Sequence, residues 1–99
     1  MKENLLQIIN RYGIKSQQRK LQEEVFELQE AIINAENNRL IGISRKPSEL
    51  AIEHIAEEIT DCCVMLKQFQ YYYGIEDKDI NDIMISKIDR QLNRIKENK

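Results

Sequence analysis

The chain has 99 residues, of which 15 are basic and 17 are acidic, so its net charge is −2. This near balance argues against the basic surface that binds nucleic-acid polymers, and the absence of about 18 consecutive apolar residues argues against a membrane-spanning helix. A chain this short forms a single domain over residues 1–99 and buries little surface unless it associates. We therefore expect a cytoplasmic homodimer or homotetramer.

The first half of the chain predicts two helices and a connection. Glycine and proline are scarce, and Glu, Gln, Lys, Leu and Ile are abundant, which favours helix. The first helix covers residues 2–12 and ends at Gly13. The second follows an N-cap at Ser16 and reaches about residue 38. Residues 39–47 form the main connection, which we expect to be the most mobile segment.

The second half predicts two further helices. Ser48 is the expected N-cap of a third helix over about residues 49–73, which stops at the following glycine. The fourth begins at Asp77 or Asp79 and reaches about Glu97. Because no segment sustains the alternation of a strand, the predicted fold class is all-α, with about four helices.

Two glutamates of the second helix lie near its apolar face. On a wheel of about 100° per residue, five apolar positions share one sector. They are Leu21, Val25, Leu28, Ile32 and Ala35. Glu24 falls inside this sector, Glu27 lies at its edge and Glu23 points away. We therefore expect Glu24 to be buried.

The third helix shows a similar arrangement around a second acidic motif. Its apolar arc is formed by Ile52, Ile55, Ile59, Cys62, Cys63, Leu66 and Phe69. Glu58 lies within this arc and Asp61 just outside it. The apolar run over residues 62–66 predicts that this part of the helix is enclosed, so that Asp61 is not simply solvated. Phe69 and Tyr73 share the apolar side and are predicted core residues.

The acidic pairs predict a site for a hard cation. A spacing of three places Glu24 beside Glu27, and Glu58 beside Asp61, on the same side of each helix. Buried carboxylates cost several kcal/mol each unless cations neutralise them or they are protonated. Carboxylate oxygens suit Mg²⁺ or Mn²⁺, which commonly share their coordination shell with substrate phosphates. The pattern therefore indicates phosphate chemistry.

Other metal-binding residue types give no competing site. His54 lies outside both acidic motifs and is expected to be a surface or packing residue, which disfavours zinc. Neither motif is Glu-x-x-His, which disfavours a di-iron bundle. Cys62 and Cys63 are adjacent, which strains a disulfide between them, so we expect reduced packing residues.

The two motifs in order resemble the paired signature of the MazG-like all-α nucleotide pyrophosphohydrolases. That signature is Glu-Glu-x-x-Glu, a spacer, then Glu-x-x-Asp. Residues 20–28 read KLQEEVFEL and residues 57–61 read EEITD. Residues 75–95 are similar to the C-terminal helix of many members, with its lysine and arginines. The resemblance covers about residues 20–95.

The resemblance implies an oligomeric, four-helix-bundle-like MazG-type fold and an activity. The expected reaction is Mg²⁺-dependent hydrolysis of a nucleoside triphosphate between the α and β phosphates, giving the monophosphate and pyrophosphate. The expected role is nucleotide-pool housekeeping. Glu24, Glu27, Glu58 and Asp61 match the metal-binding positions of the signature.

Further residues have roles that the resemblance suggests. Glu23 and Glu24 are the candidate catalytic residues, and Glu23 could accept the proton of the attacking water or complete a second ion's coordination. Lys87 and Arg90 match basic positions of the family's last helix and could hold the leaving pyrophosphate. A solvated acidic or basic helix face is the competing interpretation for each of them.

Two alternative functions remain open. The chain could be a non-catalytic helical interaction module, in which the acids form salt bridges with Lys20, Lys67 or Lys87. It could also be a phosphoribosyl-ATP pyrophosphohydrolase, which shares the helical metal chemistry but differs in substrate. The sequence does not locate the contacts that select a base.

Overall fold

The computed structural model describes residues 1–40 and 48–98, with side chains described for 1–37 and 48–98. The helices are α1 (Lys2–Tyr12), α2 (Ile14–Leu40), α3 (Glu49–Tyr72) and α4 (Asp77–Glu97). No strand occurs in the described ranges, so the all-α class is confirmed. Most of the predicted connection, residues 41–47, lies outside the described residues. The prediction that this connection is mobile concerns the same residues. None of the helices in the described part is long and apolar enough to cross a membrane.

The junction of α1 and α2 corrects one predicted boundary. Gly13 has a φ of +90°, a conformation that glycine adopts without a Cβ clash. Its N–H donates to the Ile9 carbonyl at 2.8 Å, and its carbonyl accepts from the Gln17 N–H at 3.1 Å. Helical hydrogen bonding therefore resumes immediately after one residue. The prediction of Ser16 as an N-cap is wrong, because Ser16 lies inside α2, which begins at Ile14.

The start of α3 and the start of α4 agree with prediction. The Ser48 hydroxyl accepts a hydrogen bond from the Ala51 N–H at 3.1 Å, which confirms the predicted N-cap. After α3 ends at Tyr72, Gly74 adopts a φ of +70° and the chain turns. The next helix begins at Asp77, the first of the two predicted positions.

A single carboxylate ties α4 to the end of α3. Asp77 Oδ1 accepts hydrogen bonds from Gln70 Nε2 at 2.7 Å, from the Tyr71 hydroxyl at 3.0 Å and from Lys67 Nζ at 3.2 Å. These hydrogen bonds, that of Gln70 foremost, lower the pKa of Asp77. Gln70 Nε2 also donates to the Ile75 carbonyl at 3.0 Å. These side-chain hydrogen bonds add to the backbone hydrogen bond that the Ile75 N–H donates to the Gln70 carbonyl at 2.9 Å, and together they hold the junction of α3 and α4.

The core lies between α1, α2 and α3. The most extensive contact is between α2 and α3, and α1 packs mainly on α3. Its buried apolar residues are Leu5, Ile9, Ala31, Ala35, Cys62, Met65 and Tyr71. In the described part of the chain α4 packs against none of the other helices and has no buried residue.

Several residues predicted to be core are exposed in the single chain. Val25 and Ile32 of α2 are exposed, and so are Ile52, Ile59 and Leu66 of α3. The short α1 covers only part of the α2–α3 pair, so within residues 1–40 and 48–98 no other helix packs on one flank of the pair. The predicted faces are therefore only partly correct, because the buried face of each helix is rotated from the predicted sector toward Glu24 on α2 and Glu58 on α3.

The region around Asp61 is a second correction. Asp61 is exposed, as are its neighbours Cys63 and Val64, so the predicted enclosure is wrong for the single chain. Of the two aromatic residues predicted to be core, Tyr73 is also exposed and Phe69 is half-buried. The apolar arc of α3 is wider than the surface that α1 and α2 cover, which explains both differences.

Candidate metal centre

Three carboxylates converge between α2 and α3. Glu24 and Glu27 lie one turn apart on α2, and Glu58 faces them from α3. One carboxylate oxygen of each lies within 4.8 Å of the others. The α2–α3 packing therefore brings together three of the four predicted metal ligands from motifs that are separated by 30 residues in the sequence.

Two of these carboxylates are buried and incompletely paired. Glu24 is 5% exposed and Glu58 is 8% exposed, as the helical wheel predicted. Glu24 Oε2 and Glu58 Oε2 are buried, and neither has a hydrogen-bond partner among the residues that the structure describes. Because a buried anionic oxygen without a partner is costly, the pair has unused capacity for a cation. Glu27 is exposed and forms the solvent side of the cluster.

The basic neighbours of the cluster satisfy only part of its charge. Lys20 Nζ lies 3.0 Å from Glu24 Oε1, and this hydrogen bond raises the pKa of Lys20. His54 Nδ1 lies 3.9 Å from Glu58 Oε1, at the outer limit of an ion pair. Both contacts use Oε1 atoms, so the two Oε2 atoms remain available.

The electrostatics of the cluster show mutual repulsion. The Glu24 carboxylate, followed by burial and then Glu58, raises the pKa of Glu27 above its ordinary value. Burial, with smaller contributions from Glu24 and nearby acids, raises the pKa of the Cys62 thiol. Because the thiolate is the form that binds metal, the raised pKa disfavours Cys62 as a metal ligand, and Cys62 is a buried free cysteine.

The other predicted site residues lie apart from the three carboxylates. Asp61, one turn after Glu58, lies in a shallow surface groove and is not part of the cluster. Glu23 is exposed and faces a cleft on the side of α1. Lys87 and Arg90 are exposed on α4, and among the described residues α4 packs against no other helix. The single chain does not bring these two basic residues to the acids.

A buried amide pair near the cluster was not predicted. Gln17 Nε2 donates to Gln68 Oε1 at 2.8 Å, which links α2 to α3 across 51 positions. One signal was present in the sequence. Gln17 lies seven residues before Glu24 and four before Leu21, and it therefore belongs to the same sector of the α2 wheel. Nothing comparable identified Gln68 as its partner.

Comparisons with protein-family models, with curated proteins and with solved structures find no match. Function is therefore inferred from the donor set. All three donors are carboxylates, and two of them present buried, unpartnered oxygens. Oxygen donors without thiolate or imidazole ligands suit hard divalent cations such as Mg²⁺ and Mn²⁺. The residues present fit such an ion.

Proposed function

We propose that this chain is a Mg²⁺-dependent nucleoside triphosphate pyrophosphohydrolase of MazG-like type, with nucleotide-pool housekeeping in the cytoplasm as its role. One observation carries the proposal: Glu24, Glu27 and Glu58 converge within 4.8 Å, and Glu24 and Glu58 keep unpartnered buried oxygens. The resemblance of the two acidic motifs supplies the reaction, which is cleavage between the α and β phosphates. The products are the monophosphate and pyrophosphate.

The metal-binding role belongs to the carboxylate cluster. Glu24 and Glu58 are the buried anchors, Glu27 is the accessible third ligand, and Asp61 is the proposed fourth. A bound Mg²⁺ or Mn²⁺ would neutralise phosphate oxygens and lower the pKa of an attacking water. The crowding that raises the pKa of Glu27 supports this role, because a cation relieves the same repulsion.

Two further roles concern protons and the leaving group. Glu23 is exposed, precedes the cluster residue Glu24 in the sequence and faces the cleft, where it could accept the proton of the attacking water. Lys87 and Arg90 are the proposed ligands of the leaving pyrophosphate. Because α4 packs on none of the other helices in the described residues, this role of Lys87 and Arg90 requires the association of chains.

The exposed apolar residues support a homo-oligomer. Ile52, Ile59 and Leu66 follow one another at seven-residue spacing on α3, and Val25 and Ile32 are seven residues apart on α2. A seven-residue apolar repeat places side chains on one side of a helix and is typical of helices that pack together. A second copy that buried this surface would complete a MazG-type bundle and form a dimer or tetramer.

Pyrophosphate release tests the proposed activity. The wild-type chain is incubated with Mg²⁺ and a panel of ribo- and deoxyribonucleoside triphosphates, with phosphoribosyl-ATP included. Glu24→Gln removes one buried ligand, and Glu30→Gln is the matched control because Glu30 is an exposed acid of the same helix. Release by the wild type and by Glu30→Gln, but not by Glu24→Gln, supports the proposal. Equal release by both variants would contradict it.

A non-catalytic interaction module is the second candidate, favoured by a specific contact. The Lys20–Glu24 ion pair neutralises part of the cluster without any metal, and the exposed apolar surface suits a partner helix. This candidate predicts that Mg²⁺ leaves the melting temperature unchanged. The enzyme predicts stabilisation by an ion that binds only the folded state.

A further inference from the structure

A cleft of about 580 Å³ lies between α1, α2 and α3 on the side where Glu23 is exposed. Its lining includes Ile8, Tyr12, Lys20, Glu23, Val64 and Met65, together with Gln17 and Gln68. Lys20, which lines the cleft, also contacts Glu24 of the carboxylate cluster at 3.0 Å. A volume of this size is typical of sites for small organic ligands. The cleft therefore adjoins the proposed metal centre.

Two carboxamides are buried at this cleft. Gln17 is 6% exposed and Gln68 is 1% exposed, and they share one hydrogen bond of 2.8 Å. Gln68 Nε2 has a further contact with Met65 Sδ at 3.7 Å. A thioether is a weak acceptor, so an amide donor is paired there with a poor partner. A ligand oxygen or ring nitrogen would be a better acceptor for this group.

The remaining lining residues indicate what kind of ligand fits. Ile8, Tyr12, Val64 and Met65 give the cleft apolar walls that suit the faces of a planar ring. The carboxamide pair is uncharged and offers both donors and acceptors, as the edge of a nucleobase does. The charged lining residues are Arg19, Lys20 and Glu23, of which Lys20 contacts Glu24 and Glu23 precedes Glu24 in the sequence. A neutral ring in the cleft would thus leave its phosphates near the carboxylates.

We propose that the cleft holds the base of the nucleotide and that Gln17 and Gln68 select it by hydrogen bonding to its edge. This inference rests on the proposed function for the choice of a nucleotide as ligand. The two glutamines are specificity-determining residues. A site with buried amides discriminates against rings that leave those amides unpaired.

Base discrimination in hydrolysis is the first test. The ratio of kcat/KM between the best and the worst base is measured for the wild type, Gln17→Leu, Gln68→Leu and the control Gln18→Leu. Gln18 is the exposed neighbour of Gln17 and does not line the cleft. We expect a wild-type ratio of at least tenfold that falls by tenfold or more in the two cleft variants and is unchanged in Gln18→Leu. An unchanged ratio in both cleft variants overturns the inference while the proposed function stands.

Binding without chemistry is the second test, and it does not depend on the activity or on the folding of a variant. The side-chain amide signals of Gln17 and Gln68 in the wild-type chain are followed by ¹H–¹⁵N NMR during titration with UMP, CMP, AMP and GMP without Mg²⁺. Saturable shifts of these signals with a base preference support the cleft assignment even if no triphosphate is hydrolysed. The absence of a shift with all four monophosphates overturns it.

Discussion

Replacing Glu58 by glutamine should stabilise the metal-free protein and remove its response to Mg²⁺. Glu24 and Glu58 are both buried, and their carboxylate oxygens lie within 4.8 Å. Two unit charges at 4.8 Å repel by about 1 kcal/mol in water and about 3.5 kcal/mol at an effective dielectric constant of about 20. The Lys20–Glu24 ion pair offsets part of this repulsion. We expect Glu58→Gln to raise the metal-free unfolding free energy by about 1–3 kcal/mol.

Thermal melting at pH 8 with EDTA and then with Mg²⁺ measures both effects. For a chain of this size each kcal/mol corresponds to about 4–8 °C in melting temperature. Mg²⁺ at about 100 times its Kd should add about 2.7 kcal/mol to the wild type and nothing comparable to Glu58→Gln. Glu57→Gln, an exposed neighbour outside the carboxylate cluster, is the matched control and should keep the wild-type response. Destabilisation of metal-free Glu58→Gln, together with no effect of Mg²⁺ on the wild type, would refute the reasoning.

Three further predictions concern activity, association and acid stability. Asp61→Ala should abolish pyrophosphate release while circular dichroism shows unchanged helicity; full activity would remove Asp61 from the proposed ligands. Ile59→Asp should convert the proposed oligomer to monomers in sedimentation velocity, because it places a charge in the exposed apolar repeat; an unchanged sedimentation coefficient would exclude this surface as the interface. Asp77 has a lowered folded-state pKa, so its stabilising contribution is present above its unfolded value of about 3.8 and is lost as pH falls through the folded value. In urea denaturation between pH 5 and pH 2, Asp77→Asn should therefore be less stable than the wild type near pH 5, and the difference should shrink toward pH 2; a constant difference would contradict this.

The burial of the acids could be predicted because it depends on local periodicity. Glu24 and Glu58 occupy apolar sectors of their helices, and both are buried in the structure. The surroundings of Asp61 could not be predicted in the same way. A wheel shows which residues share a face, but the area of that face that other helices cover depends on their lengths and number. The first helix is only 11 residues long, so among the described helices none covers one flank of the α2–α3 pair.

Contacts between distant positions were harder to predict than helix boundaries. The Ser48 cap is a local signal, and its hydrogen bond to Ala51 spans three residues. The Gln17–Gln68 hydrogen bond joins positions 51 residues apart, and glutamine is common on solvated helix faces. The prediction of the α1–α2 boundary near Gly13 failed for another reason. A glycine can interrupt a helix for a single residue, and a plausible capping serine three positions later obscured this.

The side-chain hydrogen bonds described between α4 and α3 involve only Asp77, the first residue of a long helix. Its 21 residues extend about 31 Å from the end of α3 at the usual rise of an α-helix. A rotation of about 10° at the junction would therefore move the far end of the helix by about 5 Å, since the rise of 1.5 Å per residue fixes its length. The hydrogen bonds from Lys67, Gln70 and Tyr71 to one aspartate thus restrict the range of positions open to the distant basic residues of α4.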